Sequence, residues 1–130
     1  MKNLLRLEEL AQFLFCGFWM YFLGVPWWCY LLLLLGPDIG MLGYLVNSRV
    51  GSISYNLLHH KGLALVVWML GMFTVDSMEN WSTGWIPGLI LFGHASMDRI
   101  FGYGLKFGDN FHHTHLGWIG KGVKEQERSQ

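Results

Sequence analysis

The hydrophobic positions of the chain fall into four long segments, separated by short stretches that contain polar residues, glycine or proline. A helix that crosses a membrane needs about 20 consecutive, mostly apolar residues. Four segments approach that length: residues 7–23, 27–46, 53–75 and 85–107. The pattern predicts an all-α fold, in which a single domain over residues 1–130 forms a polytopic bundle of four transmembrane helices followed by a short cytoplasmic C-terminal tail from residue 108.

Ionisable residues interrupt this apolar pattern. Asp38 follows a proline in the second segment, His59 lies near the start of the third, and His94 and Asp98 lie within the fourth. An ionised side chain at the centre of a bilayer costs about 2.5–3.5 kcal/mol on insertion scales. We therefore expect these four side chains to turn inward and to meet near the cytoplasmic face of one bundle.

The distribution of basic residues predicts the orientation of the chain. The positive-inside rule places connections that contain lysine and arginine in the cytoplasm. With four spans, the connection between the third and fourth segments contains Asp76 and Glu79 but no basic residue. The opposite side of the membrane receives Lys2, Arg6, Arg49, Lys106, Lys121, Lys124 and Arg128. Both termini are therefore predicted to be cytoplasmic.

The composition favours a lipid environment. Hydrophobic residues make up 52% of the chain and charged residues 14%, whereas a soluble domain typically carries about 25% charged residues. The formal net charge is 0, which gives no reason to expect a nucleic-acid partner. The predicted partner is the lipid bilayer. Because four short helices leave little room for a substrate cavity, a homo-oligomer or a partner in a membrane complex is also expected.

His94 and Asp98 are four residues apart, so on a helix their side chains lie on one face, one turn apart. Nitrogen and oxygen ligands of this kind suit zinc, iron or manganese rather than a metal that requires thiolates. We predict the following ligands for a divalent metal ion: Asp38, His59, His94, Asp98 and His115. Because a metal ion lowers the pKa of a bound water and so generates a hydrolytic nucleophile, catalytic roles are assigned to Asp38, His94 and Asp98.

His115 is the one predicted ligand outside the four segments. It belongs to a group of three tail imidazoles, with His112 and His113. Glycine at Gly108 allows the chain to turn back beneath the bundle. In that arrangement His115 would close the site, and Thr114 would supply a hydrogen bond to a ligand.

A structural interpretation of the same residues stays open. The His94/Asp98 pair is also the spacing of a simple hydrogen bond, and Asp98 is next to Arg99, with which it could form an ion pair at the membrane interface. Asp38 directly follows Pro37, where a carboxylate stabilises the exposed amides at the start of a helix.

The chain also carries a set of distinctive motifs: LRLEEL, PDIGMLGYLVNSRVG, SYNLLHH, GHASMDRIFGYGLK and THLG. On these motifs, residues 5–119 resemble the bacterial membrane-protein family known as domain of unknown function 4260. The resemblance implies four transmembrane helices in the bacterial inner membrane and brings no established activity. The chain departs from the family pattern at His113, where an acidic residue commonly precedes the Thr-His pair. A histidine ligand at that position would shift the metal preference toward softer ions.

The resemblance maps family motif positions onto Tyr44, Asn56 and Tyr103, which we interpret as substrate-binding residues. Arg99 and Lys106 join them, because cationic side chains at the interface can receive an anionic headgroup.

The predicted function is that of a metal-dependent hydrolase acting at the inner leaflet on a lipid-like or amphiphilic ester or phosphoester. Two alternatives use the same residues differently. In the first, the protein is a non-enzymatic accessory or structural subunit of a membrane assembly, and the polar cluster serves helix association. In the second, the cluster is a proton relay or binds haem through two histidines.

Overall fold

The computed structural model describes residues 1–74 and 81–130. Its elements are α1 (Lys2–Phe22), α2 (Trp27–Leu35), a 3₁₀ helix (Gly36–Leu45), α3 (Ser48–His59), α4 (Lys61–Phe73), α5 (Trp81–Ile100), β1 (His113–Thr114), β2 (Gly117–Trp118) and α6 (Lys121–Ser129). The predicted all-α fold is confirmed, since the two strands form only a short antiparallel hairpin. The predicted acidic connection with Asp76 and Glu79 lies outside the described residues.

Helix α5 is the centre of the bundle and packs against α1, α2 and α4. Side chains from α1, α2 and α5 form the main apolar core, which consists of Cys16, Met20, Cys29, Leu33, Leu89 and Ile90. Cys16 and Cys29 are buried free thiols. Because α5 also carries His94 and Asp98, the polar pair is held by the most heavily packed helix.

Two of the four predicted apolar segments are divided. The second is α-helical only to Leu35 and continues as the 3₁₀ helix, because Pro37 has no N–H to continue the α-helical hydrogen bonds. The third divides at His60, whose backbone is extended (φ −86°, ψ 110°). The Nδ1 atom of His60 accepts a hydrogen bond from the Leu63 N–H at 3.2 Å, so His60 caps the start of α4.

The fourth predicted segment ends at Ile100 rather than at residue 107. Gly102 adopts a φ of 89°, a left-handed conformation that glycine tolerates and that commonly ends a helix. The Tyr103 N–H then donates to the Asp98 carbonyl oxygen at 2.9 Å. The earlier end leaves Lys106 in the following loop instead of in a helix.

The 3₁₀ helix lies directly on α3, and Gly43 makes this close approach possible. A Cβ atom at Gly43 would overlap the Ser54 hydroxyl and lie 2.9 Å from the Val50 carbonyl oxygen. The Ser54 hydroxyl also donates to the Gly40 carbonyl oxygen at 2.6 Å. This packing brings the start of the 3₁₀ helix, with Asp38, beside the end of α3, with His59.

The chain after α5 turns back on itself, although His115 does not reach the group of Asp38, His59, His94 and Asp98. The Phe107 N–H donates to the His113 carbonyl oxygen, and the His115 N–H donates to the Leu105 carbonyl oxygen, both at 2.9 Å. The β1–β2 hairpin therefore pairs with the loop that leaves α5, and α6 follows it.

Among the described residues, one helical stretch is long and apolar enough to cross a membrane. It runs over Trp27–Leu45 and combines α2 with the 3₁₀ helix. Helix α4 is also apolar but shorter, over Lys61–Phe73.

Candidate metal centre

Two histidines and two aspartates from three elements meet at the inner side of α5. Asp38 comes from the 3₁₀ helix, His59 from the last residue of α3, and His94 and Asp98 from α5. One ligand atom from each of the four lies within 4.8 Å of the other three. Both imidazoles are buried, the Asp98 side chain is 14% exposed and the Asp38 side chain 36%, so the group is open mainly on the Asp38 side.

Backbone carbonyl groups fix the orientation of both imidazoles. His59 Nδ1 lies 2.8 Å from the Tyr55 carbonyl oxygen, and His94 Nδ1 lies 2.9 Å from the Leu33 carbonyl oxygen. The Leu33 carbonyl is free to accept because its partner in an α-helix would be residue 37, and Pro37 has no N–H. Since a carbonyl oxygen only accepts, Nδ1 of each ring must carry a proton.

In the neutral rings, Nε2 is therefore an unprotonated nitrogen with a free lone pair. In the part of the chain that the structure describes, the buried Nε2 atoms of His59 and His94 have no hydrogen-bond partner. A metal-ligating histidine commonly donates its other ring N–H to a carbonyl or carboxylate in this way, which fixes the tautomer. Both histidines thus present to the group the nitrogen that a metal ion requires.

The spacing of the four groups also fits ligands around one ion. His59 Nε2 lies 3.6 Å from Asp38 Oδ1 and 3.3 Å from Asp98 Oδ2. His94 Nε2 lies 3.3 Å from Asp38 Oδ1 and 3.8 Å from Asp98 Oδ1. Ligands bound to zinc at about 2.0–2.1 Å in a tetrahedron are about 3.3–3.4 Å apart. The observed separations are close to that value and longer than most hydrogen bonds, which measure about 2.7–3.2 Å.

The charge of the four-residue group also favours binding of a cation. With both imidazoles neutral, Asp38 and Asp98 place two negative charges close together in a partly buried position, which is costly unless they are compensated. One divalent cation balances these charges.

Tyr55 supports the group from behind. Its side chain is fully buried, its hydroxyl donates to Asp98 Oδ2 at 2.5 Å, and its ring stacks on His59 with 3.7 Å between the ring centroids. The Lys106 ammonium lies 4.8 Å from the Tyr55 ring centroid. Tyr55 therefore orients one carboxylate ligand and one imidazole ligand at once.

Sequence reasoning did not assign these supporting roles to Tyr55 or to the Leu33 carbonyl. Two signals pointed to them. Tyr55 is four residues before His59, which places both side chains on one face of α3. Pro37 is four residues after Leu33, which frees that carbonyl.

The structure brings together four of the five predicted ligands and separates His115 from them. His115 is exposed, and its Nδ1 accepts a hydrogen bond from the Leu105 N–H at 2.8 Å. Because Nδ1 is the acceptor, Nε2 of the neutral ring carries the proton and cannot bind a metal in that state. The neighbouring Thr114 hydroxyl donates to the Gly117 carbonyl oxygen at 2.7 Å and closes the hairpin.

The other two tail histidines also lie outside the metal group. His113 bonds to Asp109 through Nδ1 at 2.7 Å, and its ring stacks on Trp118 with 4.5 Å between centroids. This hydrogen bond holds the pKa of the Asp109 carboxyl below its usual value. His112 contributes its backbone, since its carbonyl oxygen accepts from the Ile119 N–H at 3.0 Å.

The predicted substrate-binding residues have separate surroundings. Asn56 holds the backbone of Lys106 by two hydrogen bonds, of 2.8 Å and 2.7 Å. Lys106 is buried, and its ammonium donates to the Phe111 carbonyl oxygen at 3.0 Å. The Tyr44 ring packs against Phe111 with 5.1 Å between centroids. The polar groups of Asn56 and Lys106 thus form hydrogen bonds that hold the loop after α5.

Arg99 and Tyr103 lie nearer the surface. An Arg99 guanidinium nitrogen is 3.6 Å from Glu9 Oε1, and the Tyr103 ring is 5.9 Å from the Lys106 ammonium. Arg99 and Lys106, which were both predicted to receive an anionic headgroup, therefore have different polar partners in the structure.

The fold and the site together define a class: an all-α protein whose central helix contributes to a group of two imidazoles and two carboxylates. The chain belongs to the family described as domain of unknown function (DUF4260), whose model matches residues 2–119. Comparison with curated proteins found no match, and comparison with solved structures found none either.

Proposed function

We propose that this protein is a membrane-embedded, metal-dependent hydrolase that acts on a lipid-like or amphiphilic ester or phosphoester. The single observation that carries the proposal is the pair of buried, unpartnered Nε2 atoms of His59 and His94, which face two carboxylates at the spacing of ligands around one ion. Zinc, iron and manganese are the ions that this mixed nitrogen and oxygen set suits.

The membrane part of the proposal is a bundle of four spans with both termini in the cytoplasm of a bacterial cell, at the inner membrane. In this arrangement α1, α2 with the 3₁₀ helix, α3 with α4, and α5 form the successive spans. Large apolar side chains on the outside of these helices support it: Phe22 is 65% exposed, Leu35 67% and Phe73 82%. An exposed apolar surface of that kind indicates a lipid or protein environment rather than water.

The chemistry divides among the residues of the group. A bound divalent ion supplies a water of lowered pKa and polarises the bond to be cleaved. His59 and His94 hold that ion through Nε2, and Tyr55 keeps Asp98 in its ligating orientation. Asp38 is the most exposed ligand, so water and substrate would approach from its side, and the Asp38 oxygen that does not bind the ion would accept a proton.

An apolar groove supports an amphiphilic substrate. Its volume is about 600 Å³, and its walls include Pro37, Ile39, Leu58, Ile90 and Leu91. Pro37 and Ile39 are the chain neighbours of Asp38, and Leu58 is the neighbour of His59. An acyl chain lying in this groove would have its polar end close to the four ligands.

The experiment is a metal analysis of the protein purified in detergent, followed by an assay. We expect about one divalent ion per chain in the parent protein. His59→Ala and His94→Ala should lose it, and His115→Ala, the matched control, should retain it. A parent protein that stays metal-free after supply of zinc, iron and manganese, or a His94→Ala variant that keeps its ion, contradicts the proposal.

The assay offers the metal-loaded protein fluorogenic esters and phosphoesters with acyl chains, presented in mixed micelles. Hydrolysis should disappear with a chelator and return with the ion. Loaded protein that cleaves neither class would remove the hydrolase from the proposal and favour the accessory-subunit alternative.

The haem alternative has less support. The His59 and His94 rings are 4.9 Å apart between centroids and nearly perpendicular, at 70°. Two axial histidines of one haem lie on opposite faces of the macrocycle, and no porphyrin fits between rings that touch in this way.

A further inference from the structure

A second cavity, of about 390 Å³, lies where the start of α1, the end of α5 and the β1–β2 hairpin meet. Lys2, Arg6 and Glu9 of α1 line it together with Arg99 and His115. Apolar walls are provided by Leu5, Phe101, Leu116, Trp118 and Ile119. Cationic groups above apolar walls are the combination that an anionic amphiphile requires.

Among the residues that the structure describes, the positive charge of this cavity is compensated only in part. Its single carboxylate, Glu9, already pairs with Lys61 and lies 3.6 Å from Arg99. Within residues 1–74 and 81–130, neither Lys2 nor Arg6 is within ion-pair distance of a carboxylate. Lys2, Arg6 and Glu9 are spaced so that all three lie on one face of α1, which keeps the two free cations directed to the same cavity.

His115 adds a neutral donor. Its Nδ1 accepts from the Leu105 N–H at 2.8 Å, so the proton of the neutral ring is on Nε2, and Nε2 can only donate. The feature that disqualifies His115 as a metal ligand thus makes it suitable for an anion. A Cβ atom on Gly104 would lie 2.5 Å from the His115 Nδ1 atom, so the packed backbone also fixes the position of the imidazole.

We propose that this cavity binds a phosphate group, with Lys2, Arg6 and Arg99 as charged donors and His115 Nε2 as a neutral donor. Arginine recognises phosphate by paired, charge-assisted hydrogen bonds. The phosphate can come from the headgroup of an anionic phospholipid at the cytoplasmic face, where basic pockets between helices bind such headgroups, or from free phosphate in solution.

This phosphate site is separate from the metal centre and does not rest on the proposed hydrolase function. Arg99 follows Asp98 in α5, and consecutive residues of an α-helix point about 100° apart. Asp98 therefore faces the four-ligand group while Arg99 lines the second cavity.

The test measures binding of phosphatidylglycerol and of phosphatidylcholine with the same acyl chains to the detergent-solubilised protein by native mass spectrometry. Inorganic phosphate is titrated in parallel by calorimetry. Arg6→Gln and His115→Ala remove one charged and one neutral donor, and Arg128→Gln, in the exposed α6, removes the same charge outside the cavity. Metal content is recorded for every variant as a check of the fold.

We expect the parent protein to bind phosphatidylglycerol at least about tenfold more tightly than phosphatidylcholine, because both lipids carry the phosphate but the trimethylammonium group of phosphatidylcholine is repelled by the cationic side chains of the cavity. One charge-assisted hydrogen bond to the phosphate contributes about 1.5–3 kcal/mol, which corresponds to about tenfold or more in affinity. The affinity for phosphatidylglycerol should fall about tenfold in Arg6→Gln and several-fold in His115→Ala, and it should be unchanged in Arg128→Gln. Binding of inorganic phosphate with the same dependence on Arg6 identifies free phosphate as the ligand, whereas its absence identifies the lipid headgroup. The proposal is overturned if Arg6→Gln binds both probes as the parent does, or if Arg128→Gln loses as much as Arg6→Gln.

Discussion

Hydrogen-bond partners decide which ring nitrogen carries the proton in three histidines of this chain. His59 and His94 donate from Nδ1 to carbonyl oxygens, so each leaves Nε2 free for a metal ion. His115 accepts at Nδ1 from a backbone N–H, so its Nε2 is a donor. Residues of the same type are therefore suited to opposite ligands, a cation for the first two and an anion for the third.

At the scale of single residues, one prediction concerns the Tyr55 hydroxyl. Tyr55→Phe keeps the ring that stacks on His59 and removes the hydroxyl that donates to Asp98. We expect metal affinity to fall about 10- to 100-fold, the usual effect of losing a group that orients a ligand. Competition with a chromophoric chelator measures it, with Tyr103→Phe as the control. Equal affinity in the parent and in Tyr55→Phe would show that the hydroxyl does not hold the carboxylate.

We predict that the free energy of unfolding depends on pH through Lys106. Burial lowers the pKa of its ammonium from 10.5 to about 8, partly opposed by Asp98 and Asp38. Between these two pH values the unfolded chain holds a proton that the folded chain has lost, so stability rises with pH across this window. The gain is on the order of 3 kcal/mol, because each pKa unit corresponds to about 1.4 kcal/mol.

The measurement is the free energy of unfolding in detergent from pH 7 to 11, compared between the parent and Lys106→Met. The difference between the two proteins should change in favour of the parent as the pH rises from 8 to 10.5. A difference that is constant over this window would mean that Lys106 keeps its ordinary pKa in the folded protein.

At the scale of elements, interruptions of helices position the ligands. The change from α2 to the 3₁₀ helix at Gly36 frees the Leu33 carbonyl for His94 and places Asp38 at the start of the 3₁₀ helix. The break at His60 ends α3 directly after His59 and begins α4 with Lys61. Lys61 then reaches Glu9 of α1. Each interruption thus positions side chains or carbonyl groups for contacts between elements.

Gly43 tests the contact between the 3₁₀ helix and α3. Gly43→Ala would place a methyl group against the Ser54 hydroxyl and the Val50 carbonyl oxygen, and we expect a loss of about 1–3 kcal/mol, as for other overpacked contacts. Metal affinity should fall with it, because Asp38 would move away from His59. Gly17→Ala is the matched control: its Cβ meets nothing within 4 Å, and alanine is favoured over glycine in a helix by about 1 kcal/mol. Thermal unfolding in detergent distinguishes the two, and equal melting temperatures for Gly43→Ala and the parent would contradict the close contact.

At the scale of the whole molecule, polar and apolar groups are segregated. The four-ligand group, the second cavity and the hairpin all involve the C-terminal end of α5, whereas the apolar core fills the space between α1, α2 and the earlier part of α5. The proposed membrane arrangement would place this polar end at the cytoplasmic surface of the bilayer.

The proposed topology predicts the labelling of introduced cysteines. Ser82→Cys should react with an impermeant reagent from the periplasmic side and Ser129→Cys from the cytoplasmic side, because the proposed spans put them on opposite faces. The parent chain is the control, since Cys16 and Cys29 are fully buried and should stay unlabelled. Reaction of both introduced cysteines from one side would rule out four spans.

The sequence by itself determined the all-α fold, the family and the identity of the grouped side chains Asp38, His59, His94 and Asp98. The fold and the grouping follow from local properties: apolar length, the four-residue spacing on a helix and the expected cost of charge in lipid. The family follows from the sequence motifs. The exclusion of His115, the role of Tyr55 and the commitment of Asn56 to the Lys106 backbone were decided by the tertiary structure. Their physical cause is hydrogen bonding between residues that are distant in the sequence, such as His94 with Leu33 and Asn56 with Lys106. Residue type and spacing do not determine which nitrogen or oxygen atom takes part in such a hydrogen bond.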